Sequence, residues 1–300
     1  MRRVFSHIRG HFCWYFLGFL LLIAMILWFA VVRESRGDVL TVTFLDVGQG
    51  DSIFIESPSG VQVLVDGGPN NNLMKEISSV LPWYDRHIDM LVVTNPDRDH
   101  YEGFISLLKK FKADVLLEPG TANKNEAYSV LEKIVTDKKV PKVLARRGQV
   151  IDLGDGAFLR IIFPDRDVSG LNPNDGSIVM QLVYRETSVL LQGDSTANIE
   201  HYLASLDIDL ESSILKVGHH GSRTSTSEEY VRLVSPGWAI ISAGENNSYG
   251  HPHKEVLDTL NKIKTEILAT CTMGRIIFES NGKEFYLKNK KVQGVEVGCK

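Results

Sequence analysis

Cysteine is scarce. The chain holds three in 300 residues, Cys13, Cys271 and Cys299, which excludes a disulfide-stapled scaffold, and no Cys/His spacing of the zinc-finger kind occurs. Basic excess is missing as well: 33 Lys and Arg face 37 Asp and Glu, a formal charge of −4. A protein that coats nucleic acid needs a broad positive field, so any basic footprint here must be local. There is no internal repeat and no low-complexity linker. What remains is ordinary globular material, 43% hydrophobic and 23% charged, enough for one large domain or two small ones.

The first residues depart from that picture. MRRVFSHIRGH carries Arg2, Arg3 and Arg9, and the run from Cys13 to Val32 then has no charge, about the length that crosses a ~30 Å hydrocarbon core as a helix. The run is longer than the roughly 7 to 15 residues of a signal-peptide core, and no small-x-small cleavage site follows it. The expected organisation is a basic segment over 1–10, a transmembrane anchor over 11–32, a linker over 33–38 and one domain over 39–300. Arg2, Arg3 and Arg9 outnumber Arg33 and Arg36 behind the span, which biases the N-terminus to the cytoplasm. The expectation is a single-pass protein of the cell membrane with its C-terminal domain extracytoplasmic. There Cys271 and Cys299 could pair, or could be one buried thiol and one terminal stray.

Periodicity gives the frame of the domain. LTVTFLDV, DSIFIES and VQVLVDG are short β-branched runs separated by Gly, Pro and Ser, which predicts consecutive strands. NLMKEISSVLP and YEGFISLLKKF have helical spacing, with the apolar strand DMLVV between them and DVLLEP after. GSIVMQLVYRETSVLLQGD predicts a hairpin about RET. Helix ANIEHYLASL, strand SSILKVG, helix SEEYVRLV, strand WAIISAG and helix HKEVLDTLNKI follow, and a hairpin turning at Asn281-Gly282 closes the chain. This order predicts an α/β fold in which sheets are covered by helices on both sides.

Polar residues sit where the apolar strands end. DMLVV empties into TNPDRDH, SVLLQ into Gly193-Asp194, ILKVG into His219-His220-Gly221 and AIISAG into NNSYGHPH. In layered α/β folds the carboxyl ends of strands form the ligand crevice, so one site can gather Asp97, Asp99, His100, Asp194 and His219 from distant segments. Carboxylates mixed with imidazoles suit zinc or manganese. Taken singly each piece has a plainer use: Asp99 can open a helix, and Gly193-Asp194 is a common turn. Their joint occurrence at strand ends is the signal.

FLDVGQGDSIFIESPSG, VLVDGG, TNPDRDH, LLQGD, LKVGHHGSRTS and ISAGENNSYGHP resemble, in this order, the landmarks of the metallo-β-lactamase-like domain of the ComEC/Rec2 competence proteins and its freestanding relatives. The resemblance covers nearly everything after residue 38. It implies an αββα sandwich with a metal-dependent hydrolase site on one edge, and in the competence proteins a role in degrading one DNA strand during uptake.

The resemblance also implies roles residue by residue. The superfamily pattern is HxHxDH, often HxDxDH in this family, and here Asn95 stands at its first His. A neutral amide is a weak ligand for zinc or manganese. Where that metal needs a further His, LNPNDGS offers only Asn174 and Asp175, leaving Asp97 and Asp194 as oxygen ligands of a weakened site. The other metal is well supplied by Asp99, His100, Asp194 and one of His219 or His220. One tightly bound Zn2+ or Mn2+ is therefore expected. Asp97 or Asp99 would orient or deprotonate the attacking water and His251 would act with them in catalysis by stabilising developing charge, with Ser222, Arg223 and Asn95 on the substrate side. Asp51 and Asp66 would orient the ligands, while Asp46, Gly48 and Gly50 form a supporting turn rather than a phosphate loop. Three functions fit: a membrane-anchored hydrolase of phosphodiesters, DNA among them; the same fold acting on another ester, lactone or lactam; or a tethered binding module whose site has decayed.

Overall fold

The computed structural model describes residues 2–34, 37–122, 125–288 and 298–299, with the side chains of 2–10, 13 and 30–34 outside the description. The chain divides into two units, 1–37 and 38–300. The first is helix α1 (Arg2–Glu34), whose large apolar side chains from Phe12 to Phe29 are exposed. Among the described residues no helix is long and apolar enough to cross a membrane. The anchor expected over 11–32 is thus not supported at this level, and its residues 13 and 30–32 lie outside the described side chains.

The second unit is built on two sheets. The first contains β1 (Leu40–Phe44), β2 (Ile53–Glu56), β3 (Gln62–Val65), β4 (His87–Val92), β5 (Lys112–Glu118), β6 (Lys142–Leu144), β14 (Ile276–Ser280) and β15 (Phe285–Leu287), in the order β15-β14-β1-β2-β3-β4-β5-β6. The second contains β7 (Val150–Asp152), β8 (Ala157–Phe163), β9 (Val179–Tyr184), β10 (Thr187–Leu191), β11 (Ile214–Lys216), β12 (Trp238–Ile241) and β13 (Glu266–Ala269), and runs β13-β12-β11-β10-β9-β8-β7. The expected hairpin β9–β10 is antiparallel, as are the consecutive strands β1–β2, whereas β3–β4–β5 and β10–β11–β12–β13 are parallel.

Side-chain alternation explains the layering. Ile53 and Ile55 face the core between the sheets, while Phe54 faces α2 (Asn72–Val80), α3 (Arg98–Lys110) and α4 (Glu126–Asp137). Val63 and Val65 divide from Leu64 in the same way, as do Met90 and Val92 from Leu91. Strands buried on both faces read as unbroken apolar runs, which is why DMLVV shows no polar alternation. On the second sheet α5 (Ala197–Ala204), α6 (Glu228–Val234) and α7 (Lys254–Lys262) cover the outer face through Leu203, Tyr230, Val231, Val256 and Leu260. The result is the expected αββα sandwich. Helix α4 and strands β6 to β8 go beyond the sequence expectation. Cys271 and Cys299 form a disulfide with Cα atoms 5.4 Å apart.

Candidate metal centre

The site is assembled by backbone before side chains. Gly103 lies so near the turn after β3 that a Cβ there would sit 2.0 Å from the Gly67 carbonyl oxygen, and Gly103 N–H donates to Gly68 O at 3.0 Å. A Cβ at Gly50 would sit 2.4 Å from the Asp99 carbonyl oxygen, and Asp51 N–H donates to that oxygen at 3.2 Å. Two glycines therefore let the start of α3 touch the loops after β1 and β3. Asp97 is the N-cap residue by position, yet its side chain makes no capping hydrogen bond. His219 and His220 adopt successive left-handed conformations, φ 48° and 54°, which cost about 1–2 kcal/mol each for non-glycine residues. That turn carries His220 inward and leaves His219 at the rim.

Asp99, His100, Asp194 and His220 place one potential ligand atom each within 4.8 Å of one another. His100 Nε2 is 3.1 Å from Asp194 Oδ2; His220 Nε2 is 3.3 Å from Asp99 Oδ2 and 3.4 Å from Asp194 Oδ1. Both Nε2 atoms and Asp194 Oδ1 are buried without a hydrogen bond of acceptable geometry. Tetrahedral ligands at metal distances of ~2.0–2.1 Å stand about 3.4 Å apart, so these spacings are those of ligands sharing one ion. The donor set, two imidazoles and two carboxylates, fits zinc or manganese.

A second layer fixes each imidazole. His100 Nδ1 meets Asp66 Oδ2 at 2.9 Å, and Asp66 also accepts from Thr94 N–H at 2.7 Å and Thr94 Oγ1–H at 2.5 Å. His220 Nδ1 lies 3.0 Å from Ser242 O and 3.1 Å from Asp51 Oδ1, while Asp51 Oδ2 takes the buried Lys216 ammonium at 2.5 Å. Burial pushes the Asp51 carboxyl up, but Lys216 and then His220 outweigh it and hold it well below the usual range. Burial also opposes charge on His220, yet Asp194 and Asp51 carry its imidazolium up to about 10. Such carboxylate–histidine pairs hold the Nδ1 proton and aim the Nε2 lone pair at a metal.

The cleft above the cluster has a volume of about 300 Å3, and its walls include Gln49, Asp97, Arg98, His219, Tyr249 and His251. Asp97 lies beside the cluster but outside it, and burial raises its carboxyl. His219 is also outside: its Nδ1 pairs with Thr224 Oγ1 at 2.9 Å and its Nε2 is 3.8 Å from Asp194. His251, lowered to about 4 by burial and then by His220, is neutral at pH 7.

Asn95, expected on the substrate side, does not line the cleft. It is fully buried, its Nδ2 donating to Asn174 Oδ1 at 2.7 Å and its Oδ1 accepting from Asp97 N–H at 2.9 Å. An amide pair thus stands where the sequence pattern leads one to look for imidazoles. Ser222 turns its hydroxyl to Thr224, and Arg223 is exposed; neither lines the cleft. Asp175 accepts from Thr196 Oγ1 at 2.5 Å. Lys216, Gln49, Arg98, Asn125 and Tyr249 are site residues that sequence reasoning passed over. Lys216 had a signal, a lone charge inside the apolar strand ILKVG.

Residues 45–245 match the family described as the metallo-beta-lactamase superfamily. The chain is 30% identical over 266 residues to ComE operon protein 3 of Bacillus subtilis (strain 168), covering 81% of this chain and 33% of that protein. It is 30% identical over 264 residues to Recombination protein 2 of Haemophilus influenzae, covering 86% of this chain and 31% of that one. The chain therefore spans about a third of the length of the curated relatives it matches. Among solved structures, CmlA, a diiron beta-hydroxylase from Streptomyces venezuelae, superposes with a TM-score of 0.52 at 15% identity over 81% of this chain and 54% of that one, a likeness of fold alone.

Proposed function

Because the chain belongs to the metallo-beta-lactamase superfamily and is a metal-dependent hydrolase of that fold, we propose that it hydrolyses phosphodiesters, nucleic acid among them. The observation that carries this reading is the cluster of Asp99, His100, Asp194 and His220, with orphaned imidazole nitrogens spaced as ligands of one ion under an open polar cleft. Its likeness to proteins named Recombination protein 2 and Competence protein ComA supports a nucleic-acid substrate over a lactam or lactone.

Those four residues would hold Zn2+ or Mn2+, and the Asn95–Asn174 pair leaves a second ion weakly supported. When bound, the ion supplies Lewis acidity, withdrawing charge from a substrate oxygen and acidifying water. Asp66 keeps His100 protonated at Nδ1, and the Ser242 carbonyl, with Asp51 beside it, does the same for His220. Asp97, partly buried and with its carboxyl raised, would take the proton of the water that attacks phosphorus and return it to the alkoxide released as the ester P–O bond breaks. Gln49 Nε2 lies 3.4 Å from His251 Nδ1, so the neutral imidazole keeps its proton on Nε2 and offers a hydrogen bond rather than a charge to the phosphoryl group.

The test is hydrolysis of bis(p-nitrophenyl) phosphate and of single-stranded oligonucleotides by the full chain, with and without chelator. His100→Ala and Asp194→Ala should each lower kcat/KM at least about a hundredfold. Full activity in both variants would refute the assignment, and faster turnover of esters or lactams would move the substrate class. We also place the chain at the cell membrane through α1, supported by its charge-free run and exposed apolar side chains, with the domain extracytoplasmic. Release of the chain from cell membranes by alkaline carbonate would sink that placement.

A further inference from the structure

The cleft has one bare aromatic wall. Tyr249 lines it, and its side chain is 65% exposed although the ring stacks on His251 at 5.6 Å and 25°. Its phenol makes no hydrogen bond among the described residues, so neither packing nor polar pairing accounts for its presence there.

The loop that presents this ring is braced at several points. The Asn247 side chain accepts from His251 N–H at 2.9 Å and donates to Gly244 O at 2.9 Å and His251 O at 2.7 Å. Gly244 N–H donates to Gln49 Oε1 at 3.1 Å, and Asn246 N–H to Cys299 O at 2.7 Å, where Cys299 is tied to Cys271. A ring held still with an open face gives up little entropy when a flat group settles on it. His219 is also a wall of a second cavity of about 320 Å3, lined by the amides and hydroxyls of Asn172, Asn174, Asn198, Thr196 and Thr224 and by one carboxylate, Asp175, which accepts from Thr196 Oγ1–H. Those groups match base edges and sugar hydroxyls better than phosphate charge.

Resting on the phosphodiester reading above, we propose that Tyr249 is the specificity-determining residue of the cleft and stacks a nucleobase of a single strand beside the phosphate at the metal cluster. A duplex keeps its bases stacked on one another, so the single strand is the form that can use this ring. A chain of formal charge −4 offers no broad positive field, so stacking carries much of the affinity and binding should depend only weakly on salt.

The test uses the full chain loaded with Mn2+, a fluorescent phosphorothioate oligothymidylate that resists cleavage, and an abasic strand of the same length and backbone. By fluorescence anisotropy the wild type should prefer the base-bearing strand by between about fivefold and a hundredfold. Tyr249→Ala should abolish that preference with an unchanged Tm, and Tyr249→Phe should keep it. Equal wild-type affinity for the two strands, or a preference that survives Tyr249→Ala, overturns the inference. Preference for bases with no cleavage of unmodified strands would support the stacking role and sink the hydrolysis reading alone.

Discussion

Replacing Asp66 by Asn should damage metal binding more than replacing it by Ala, against the usual ranking of the two substitutions. One Asp66 oxygen accepts from Thr94 N–H at 2.7 Å, and the other accepts from Thr94 Oγ1–H and faces His100 Nδ1 at 2.9 Å. A carboxylate can only accept, so Nδ1 keeps its proton and Nε2 keeps the lone pair that a metal needs. In Asp66→Asn the amide oxygen must stay on Thr94 N–H, which turns the NH2 group toward His100. Nδ1 then becomes the acceptor, the proton moves to Nε2, and a ligand is lost. The flipped amide is no escape, since it sets two buried donors against each other at a cost of about 1–3 kcal/mol. Loss of a supporting partner alone lowers affinity about 10- to 100-fold, roughly 1.4–2.7 kcal/mol. Asp66→Ala should fall in that range and Asp66→Asn about tenfold beyond it. Competition with a chromogenic chelator measures both, with melting in excess chelator as the control for folding. If Asp66→Asn binds metal as tightly as Asp66→Ala or better, the tautomer argument is wrong.

Lys216→Met should destabilise the chain by about 3–5 kcal/mol, because it strands the Asp51 carboxylate in the interior; Asp51→Asn in the same chain should recover part of the Tm, and no recovery would show the ion pair to be irrelevant. With chelator present, stability should fall as pH rises. The His220 imidazolium, raised from 6.5 to about 10, stabilises fully below pH 6.5 and loses that contribution as pH climbs through about 10, so a flat Tm across this window would contradict the charge arrangement. Asn95→His combined with Asn174→His should raise bound metal per chain by mass spectrometry, whereas unchanged stoichiometry would mean that the amide pair does not stand in for ligands.

Much of the fold was legible because both sheets bury strands on two faces, which yields short apolar runs ending in polar clusters. The middle of the chain was not. Helix α4 buries only Tyr128, Leu131 and Val135 along a polar sequence, while β6 and β7 are largely exposed strands without a buried alternation to betray them. The ligand types were legible in TNPDRDH and LLQGD, but the choice between adjacent histidines was not, since it is made by two left-handed residues that no side-chain pattern announces. Ser222 and Arg223 follow the histidine pair in sequence, and the same turn carries them away from the cleft. The cysteine pair could not be read either, because pairing across 28 residues depends on where the chain end returns.

The glycine contacts at Gly50 and Gly103 have a consequence for how such a site can change over generations. The Asp99 and Gly67 carbonyls that they approach belong to the main chain, so the socket is framed by peptide groups common to every residue type. Asn95 and Asn174 bond to each other, and Asn95 Oδ1 also accepts from Asp97 N–H. Side chains set on such a frame can be exchanged, amide for imidazole, without remaking the main-chain contacts that hold it.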